Sequence, residues 1–155
     1  DLFGYGDRFE VESPALIYDD SGSFEAISTA ELLLEKGVHV TTVSRHTDVG
    51  NNIAFPGVTA GAAKERLMSG NFDFIGGHYL REIRDSEVEI GVLFTDRVRV
   101  IAAKTVILVT VNQPNRGLAH EVEEAGFKTH MIGDVQGYDT LYNAIHAGEN
   151  LGRTI

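Results

Sequence analysis

Pro14-Ala15-Leu16-Ile17-Tyr18-Asp19-Asp20-Ser21-Gly22-Ser23-Phe24-Glu25-Ala26 opens the stretch that decides the fold, and Glu35-Lys36-Gly37-Val38-His39-Val40-Thr41-Thr42-Val43-Ser44 closes it. The run from Pro14 to Tyr18 is short, apolar and bounded by two aspartates, the pattern of a buried strand. Ser21-Gly22-Ser23 supplies turn chemistry. Over residues 25–36, Ala26, Ile27, Ala30, Leu33 and Leu34 recur at spacings that place apolar groups on one helical face. Gly37 is a natural stop for that helix. Residues 38–44 are β-branched and alternate, which predicts a second strand. Strand, helix and strand in about 30 residues form a βαβ unit, with parallel strands and a right-handed crossover.

Outward from this unit the pattern changes. Residues 1–13 lack periodicity and read as a lead-in or linker, and residues 51–57 read as loop. A helix is expected over 59–68. Three strand-like runs follow at 78–83, 88–94 and 98–102, joined by the charged turns Arg84-Asp85-Ser86 and Thr95-Asp96-Arg97. Short, alternating and closely spaced, they predict an antiparallel meander and not a further βαβ unit. Residues 105–110 form a continuously apolar strand, followed by a short helix over 118–125. A strand at 129–132 and a helix from about 140 to 151 are expected to complete the chain. The fold class is α/β: a Rossmann-like three-layer domain with a parallel sheet plus an antiparallel β-meander.

Composition removes several kinds of chemistry. The 155 residues include no cysteine, so disulfides, thiolate nucleophiles and Cys-bound zinc or iron–sulfur sites are excluded within this chain. Twenty-three acidic residues against 13 basic give a formal charge of −10, a surface that repels phosphate backbones, so no nucleic-acid partner is expected. No apolar stretch approaches a membrane span, and a cytoplasmic location is expected. The six histidines show no paired ligand spacing, so no metal site is expected, and no nucleophile elbow or Cys–His pair supports hydrolysis.

Three places carry a resemblance. The βαβ unit ending in Glu35-Lys36-Gly37-Val38-His39-Val40-Thr41-Thr42-Val43 is the first. The second is Val106-Ile107-Leu108-Val109-Thr110-Val111-Asn112-Gln113-Pro114-Asn115, similar to an apolar strand ending in Ala-Thr-Gly-Arg-x-Pro-Asn. The third is Met131-Ile132-Gly133-Asp134 with residues 141–153 behind it, similar to an Ile-Gly-Asp strand end and its last helix. In order and spacing, from Pro14 to Ile155, the chain resembles the C-terminal nucleotide-binding region of the Old-Yellow-Enzyme-like NADH:flavin oxidoreductases, the group of trimethylamine dehydrogenase and 2,4-dienoyl-CoA reductase. The resemblance implies that residues 14–128 are the nicotinamide-type half and residues 129–155 a returning strand and helix of the flavin-type half. It also implies a larger parent, whose upstream part would hold the rest of the flavin-type half, an FMN-bearing barrel and the cysteines of a 4Fe-4S cluster.

A working dinucleotide turn needs glycine where the chain bends, glycine where backbone meets pyrophosphate, and Gly or Ala where helix packs on strand. Counting back from Gly37 puts Ser21, Ser23 and Ala26 at these positions, and only Ala26 conforms. Gly22 rescues the turn if the register shifts by one, and serine hydroxyls can donate to phosphate. Asp19, Asp20 and Glu25, however, surround the helix N-terminus with carboxylates, which suit the dipole and repel phosphate. Two alternatives stay open here: a strand–turn–helix with Ser or Asp as N-cap, or an adenine-nucleotide site for ADP or NAD(P)H. At the end of the second strand stands Arg45, either a solvated strand-end side chain or a partner for a 2′-phosphate that favours NADP(H). Val111 and Asn112 replace the Gly and Arg of the family element, and a β-branched Val cannot easily take positive φ. Gly133 and Asp134 match the family's cofactor-contacting strand end, or else Asp134 caps the turn after Gly133.

These signals lead to an accessory dinucleotide-binding-like domain of a flavin-dependent NAD(P)H oxidoreductase, with an eroded site that retains at most ADP-type binding and no catalytic residues of its own. Two other classes compete. One is a structural or subunit-contact module without a nucleotide; the other is a free-standing flavodoxin-like domain holding FMN at the same turn.

Overall fold

A computed structural model describes residues 10–53, 58–137 and 141–155, with the backbone alone for Val58 and Thr59. By contacts the chain divides into Asp1–Thr110 and Val111–Ile155. In the first unit β1 (Ala15–Asp19), α1 (Phe24–Glu35) and β2 (Val40–Ser44) form the expected βαβ unit, followed by α2 (Val58–Met68) and β3 (Phe72–Ile75). The meander is β4 (His78–Arg84), β5 (Glu87–Val92) and β6 (Val98–Ala102), and β7 (Thr105–Val109) ends the unit. The parallel sheet has the order β3-β2-β1-β7, with Ile17 opposite Thr42 on one side and Ile107 on the other. The meander is a separate antiparallel sheet, β4-β5-β6, with a bulge between Leu80 and Glu82.

Alternation along β1 builds the layers. All five of its residues are buried, as a central strand covered on both faces requires. Ala15 and Ile17 point to a core with Ala26, Ile27, Ala30 and Leu33 of α1 and with Ala63 and Leu67 of α2. Leu16 and Tyr18 point the other way, where Val43 meets Val88 and Ile90 of the meander and Ala103. The parallel sheet is thus the middle layer of three, with helices on one face and the meander on the other. Burying a side chain such as Ile17 or Leu33 stabilises by about 2 kcal/mol. Helix α1 stops in a Schellman arrangement: Gly37 at φ +77° lets its N–H reach Leu34 O at 2.9 Å and that of Val38 reach Leu33 O at 3.0 Å.

The second unit holds α3 (Gly117–Glu124), a 3₁₀ turn (Gly133–Val135) and α4 (Leu141–Gly152). Neither helix has a buried residue, and Leu118, Phe127, Leu141, Tyr142 and Ile145 are exposed. Arg116 donates to Val135 O (3.1 Å) and Gln136 O (2.6 Å), tying the start of α3 to the end of the 3₁₀ turn.

Strand β3 was not anticipated: Phe72-Asp73-Phe74-Ile75 is only four residues long and half-exposed, because it is the sheet edge, so its apolar signal is weak. The strand expected at 129–132 does not form. A strand exists only through a lateral partner for its N–H and C=O groups, and no described segment pairs with them. The expected loop over 51–57 and lead-in over 1–13 lie partly outside the described residues, as does Thr140.

Candidate functional site

The β1–α1 turn sits at the carboxyl ends of the parallel strands, the position where open α/β sheets take ligands. Its chemistry is set by Asp19, whose residue is only 2% exposed. The Asp19 Oδ1 accepts from Ser21 N (3.0 Å), Ser21 Oγ (2.9 Å) and Gly22 N (2.8 Å). Ser21 Oγ in turn accepts from Ser23 N at 3.2 Å. Backbone N–H groups that a pyrophosphate would use at a dinucleotide turn are therefore committed to a carboxylate and a hydroxyl from the turn itself. Ser23 is the N-cap of α1 by position, with extended φ −115° and ψ −166°, but its side chain makes no capping bond. Ala26, at the helix-packing position, is buried against the sheet.

Two residues that sequence reasoning passed over close the turn from outside. Asn52 donates through Nδ2 to Ser21 O (2.9 Å), and its backbone N–H donates to Gly22 O (2.8 Å). His46 lies beside it, so close that a Cβ on Gly22 would meet His46 Cδ2 at 2.9 Å. Gly22 has φ +63°, where glycine is favoured for its freedom as well as its size. The signal that was available is the Asp19-x-Ser21-Gly22 spacing, since an aspartate two residues ahead of a turn caps it with its own side chain.

Arg45 lies just past the end of β2, its side chain 54% exposed, with Nη2 2.5 Å from Asp20 Oδ1. Tyr18 OH reaches the same carboxylate oxygen at 3.3 Å. The Asp20 charge raises the Arg45 pKa, and burial, followed by that same charge, pushes the Tyr18 phenol up from its ordinary value. The guanidinium is thus already paired with a carboxylate beside the turn. Ser44 Oγ donates to Asp19 O at 2.7 Å and accepts from His46 N at 3.1 Å, which locks the two strand ends together.

Ser21, Gly22, Ser23, Ala26 and Arg45 belong to the first unit, whereas Gly133 and Asp134 belong to the second. There Gly133 has φ +68° and starts the 3₁₀ turn. Asp134 and Val135 line a cleft of about 350 Å³ with Asn112, Gln113, Pro114 and Asn115. Val111 and Asn112, the departures from the Gly-Arg element, are both exposed. Among the described residues no group of acidic or histidine side chains is arranged to hold a metal ion. No described helix is long and apolar enough to cross a membrane.

No protein-family model matches the chain, and no curated protein matches it. Solved structures do. Histamine dehydrogenase from Rhizobium sp. 4-9 is similar with a TM-score of 0.80 and 22% identity, over 100% of this chain and 25% of that one. The 6-hydroxypseudooxynicotine amine oxidase from Pseudomonas geniculata N1 gives a TM-score of 0.83 and 22% identity, over 95% of this chain and 23% of that one. A 2-naphthoyl-CoA reductase gives 0.77 and 22%, over 100% and 23%. The chain spans about a quarter of the length of the structures it matches. These likenesses establish the fold, the same one that the sequence resemblance implies.

Proposed function

We propose that this chain is an accessory, Rossmann-like domain of a flavin-dependent NAD(P)H oxidoreductase, whose nucleotide turn has become structural. The observation that carries this is the Asp19 carboxylate seated on Ser21 N and Gly22 N. The names of the structural neighbours, a dehydrogenase, an amine oxidase and a reductase, support the oxidoreductase parent. In this reading residues 14–128 are the nicotinamide-type half, and residues 129–155 return to a flavin-type half elsewhere in the parent. The exposed apolar side chains of α4, with Leu141 at 77% and Ile145 at 60%, support a further surface for that segment to pack on. FMN and a 4Fe-4S cluster, held by that cytoplasmic parent, supply hydride and electron transfer; this chain contributes no reacting group.

Any remnant of adenine-nucleotide binding at Ser21, Gly22, Ser23, Ala26 and Arg45 is weak, because a phosphate must displace Asp19 and meet Asp20. Isothermal titration of the chain with ADP, NADH and NADPH tests this. Dissociation constants of about 1 mM or weaker for all three agree with it, and one of about 1 µM for any of them overturns it.

The exposed apolar residues of α3 and α4 also favour a second reading, a contact module that holds the parent together and binds no nucleotide. Deleting residues 1–155 from the parent then lowers its assembly or thermal stability while its flavin stays bound and reducible. Loss of flavin reduction by NAD(P)H in an otherwise assembled enzyme contradicts that second reading.

A further inference from the structure

A different place in the first unit has the make-up of a small-molecule site. At the amino ends of the parallel strands, opposite the β1–α1 turn, a cleft of about 510 Å³ opens between the sheet and β6. That size lies within the roughly 300–1,000 Å³ of small-molecule sites. Thr41 and Asp73, register partners on neighbouring strands, line it from the sheet. His39 joins them, its Nε2 3.0 Å from Asp73 Oδ2. Apolar walls come from Pro14, Ile75 and Ile101.

Arg99 lines the cleft from the other side. Its register partner on β5 is Ile90, a fully buried residue of the core between meander and sheet, so Arg99 leaves β6 on the sheet-facing side. Every other arginine of the first unit's described residues except Arg97 is held by a carboxylate: Arg45 by Asp20, Arg66 by Glu31, Arg81 by Glu89, and Arg84 by Glu82, Glu87 and Glu89. In a chain of formal charge −10, carboxylate partners are plentiful, yet among the described residues the Arg99 guanidinium has none. Inward-pointing charges do guard edge strands against pairing with other chains. Arg99 stands on the edge strand β6 and can serve that duty, but it also lines a cleft with apolar walls and a threonine.

We propose that this cleft binds a small organic anion: a carboxylate on a flat apolar body, such as an aromatic ring. Arg99 takes the carboxylate through its planar fork. The ring lies against Ile75 and Ile101. Asp73, occupied by His39, sets the direction of entry by repelling the anionic end toward Arg99. The site lies away from the β1–α1 turn and does not depend on the fate of the nucleotide.

Benzoate is the probe, followed through backbone amide shifts of the chain. Saturable shifts at His39, Thr41, Ile75 and Ile101, with a dissociation constant of about 1 mM, are expected. Arg99→Gln weakens binding about tenfold or more, Arg97→Gln leaves it within about twofold, and neutral benzamide gives no saturable shift. Because Arg99 is exposed and unpaired, Arg99→Gln keeps the remaining amide spectrum, which verifies its fold directly. The proposal is overturned if benzoate produces no saturable shift in the wild-type chain, if Arg99→Gln binds as well, or if benzamide binds as tightly as benzoate.

Discussion

Asp19 carries more of this domain than its place in a turn suggests. Its buried carboxylate oxygen accepts from two backbone N–H groups and one hydroxyl, so removing it leaves three donors to find water in a closed turn. Asp19→Ala is expected to lower stability by about 2–4 kcal/mol, read as a fall in urea midpoint at unchanged m-value; a loss under about 0.5 kcal/mol would mean water replaces it freely. Gly22→Ala adds a Cβ at φ +63° against His46 and is expected to lose about 1–2 kcal/mol in the same assay. Tyr18 gives a pH prediction. Its folded pKa lies above the unfolded value of 10.0, so the folded state holds its proton longer than the unfolded chain does. That contribution is full below pH 10 and is lost as pH rises through the raised value, so Tyr18→Phe must lose less stability than wild type above about pH 10. Parallel wild-type and variant curves across that range would contradict the shift. From the sequence, Asp19 and Asp20 are readable as carboxylates that repel phosphate. What composition hides is that one seats itself on the N–H groups and the other holds Arg45, because both depend on side-chain direction at a turn.

At the scale of elements, the βαβ unit and meander were legible because each combined periodicity with turn chemistry. Strand β3 and the missing strand at 129–132 were not, because pairing decides both: β3 gains a strand identity from β2, and no described segment pairs with residues 129–132. The meander is a full layer of the domain and not an appendage, since Val88 and Ile90 are as buried as Leu16 and Val43. Ile90→Ala is therefore expected to cost about 2–4 kcal/mol, the same range as Leu33→Ala on the opposite face. A cost below about 1 kcal/mol for Ile90→Ala alone would show the meander folding separately.

Over the whole molecule, burial is unevenly shared. The core residues lie before Thr110, and the described helices after Val111 contain no buried side chain. Hydrogen exchange should separate the two: amides of β1 and β2 are expected to open only with global unfolding, while those of α3 and α4 exchange at least about a hundredfold faster. Equal protection in α4 and β1 would contradict this. Neither the domain's exposed apolar helices nor its unpaired segment was readable from periodicity, which reports that a helix has an apolar face but not what covers it.

The Asp19 turn has one more consequence, of concentration. A carboxylate tethered two and three residues from its donors is present at an effective molarity on the order of 1 M or more, whatever the solution contains. A phosphate at cellular levels, about a thousandfold more dilute, competes with a ligand that never diffuses away. Millimolar phosphate should therefore leave the melting temperature of the domain where it stands without any.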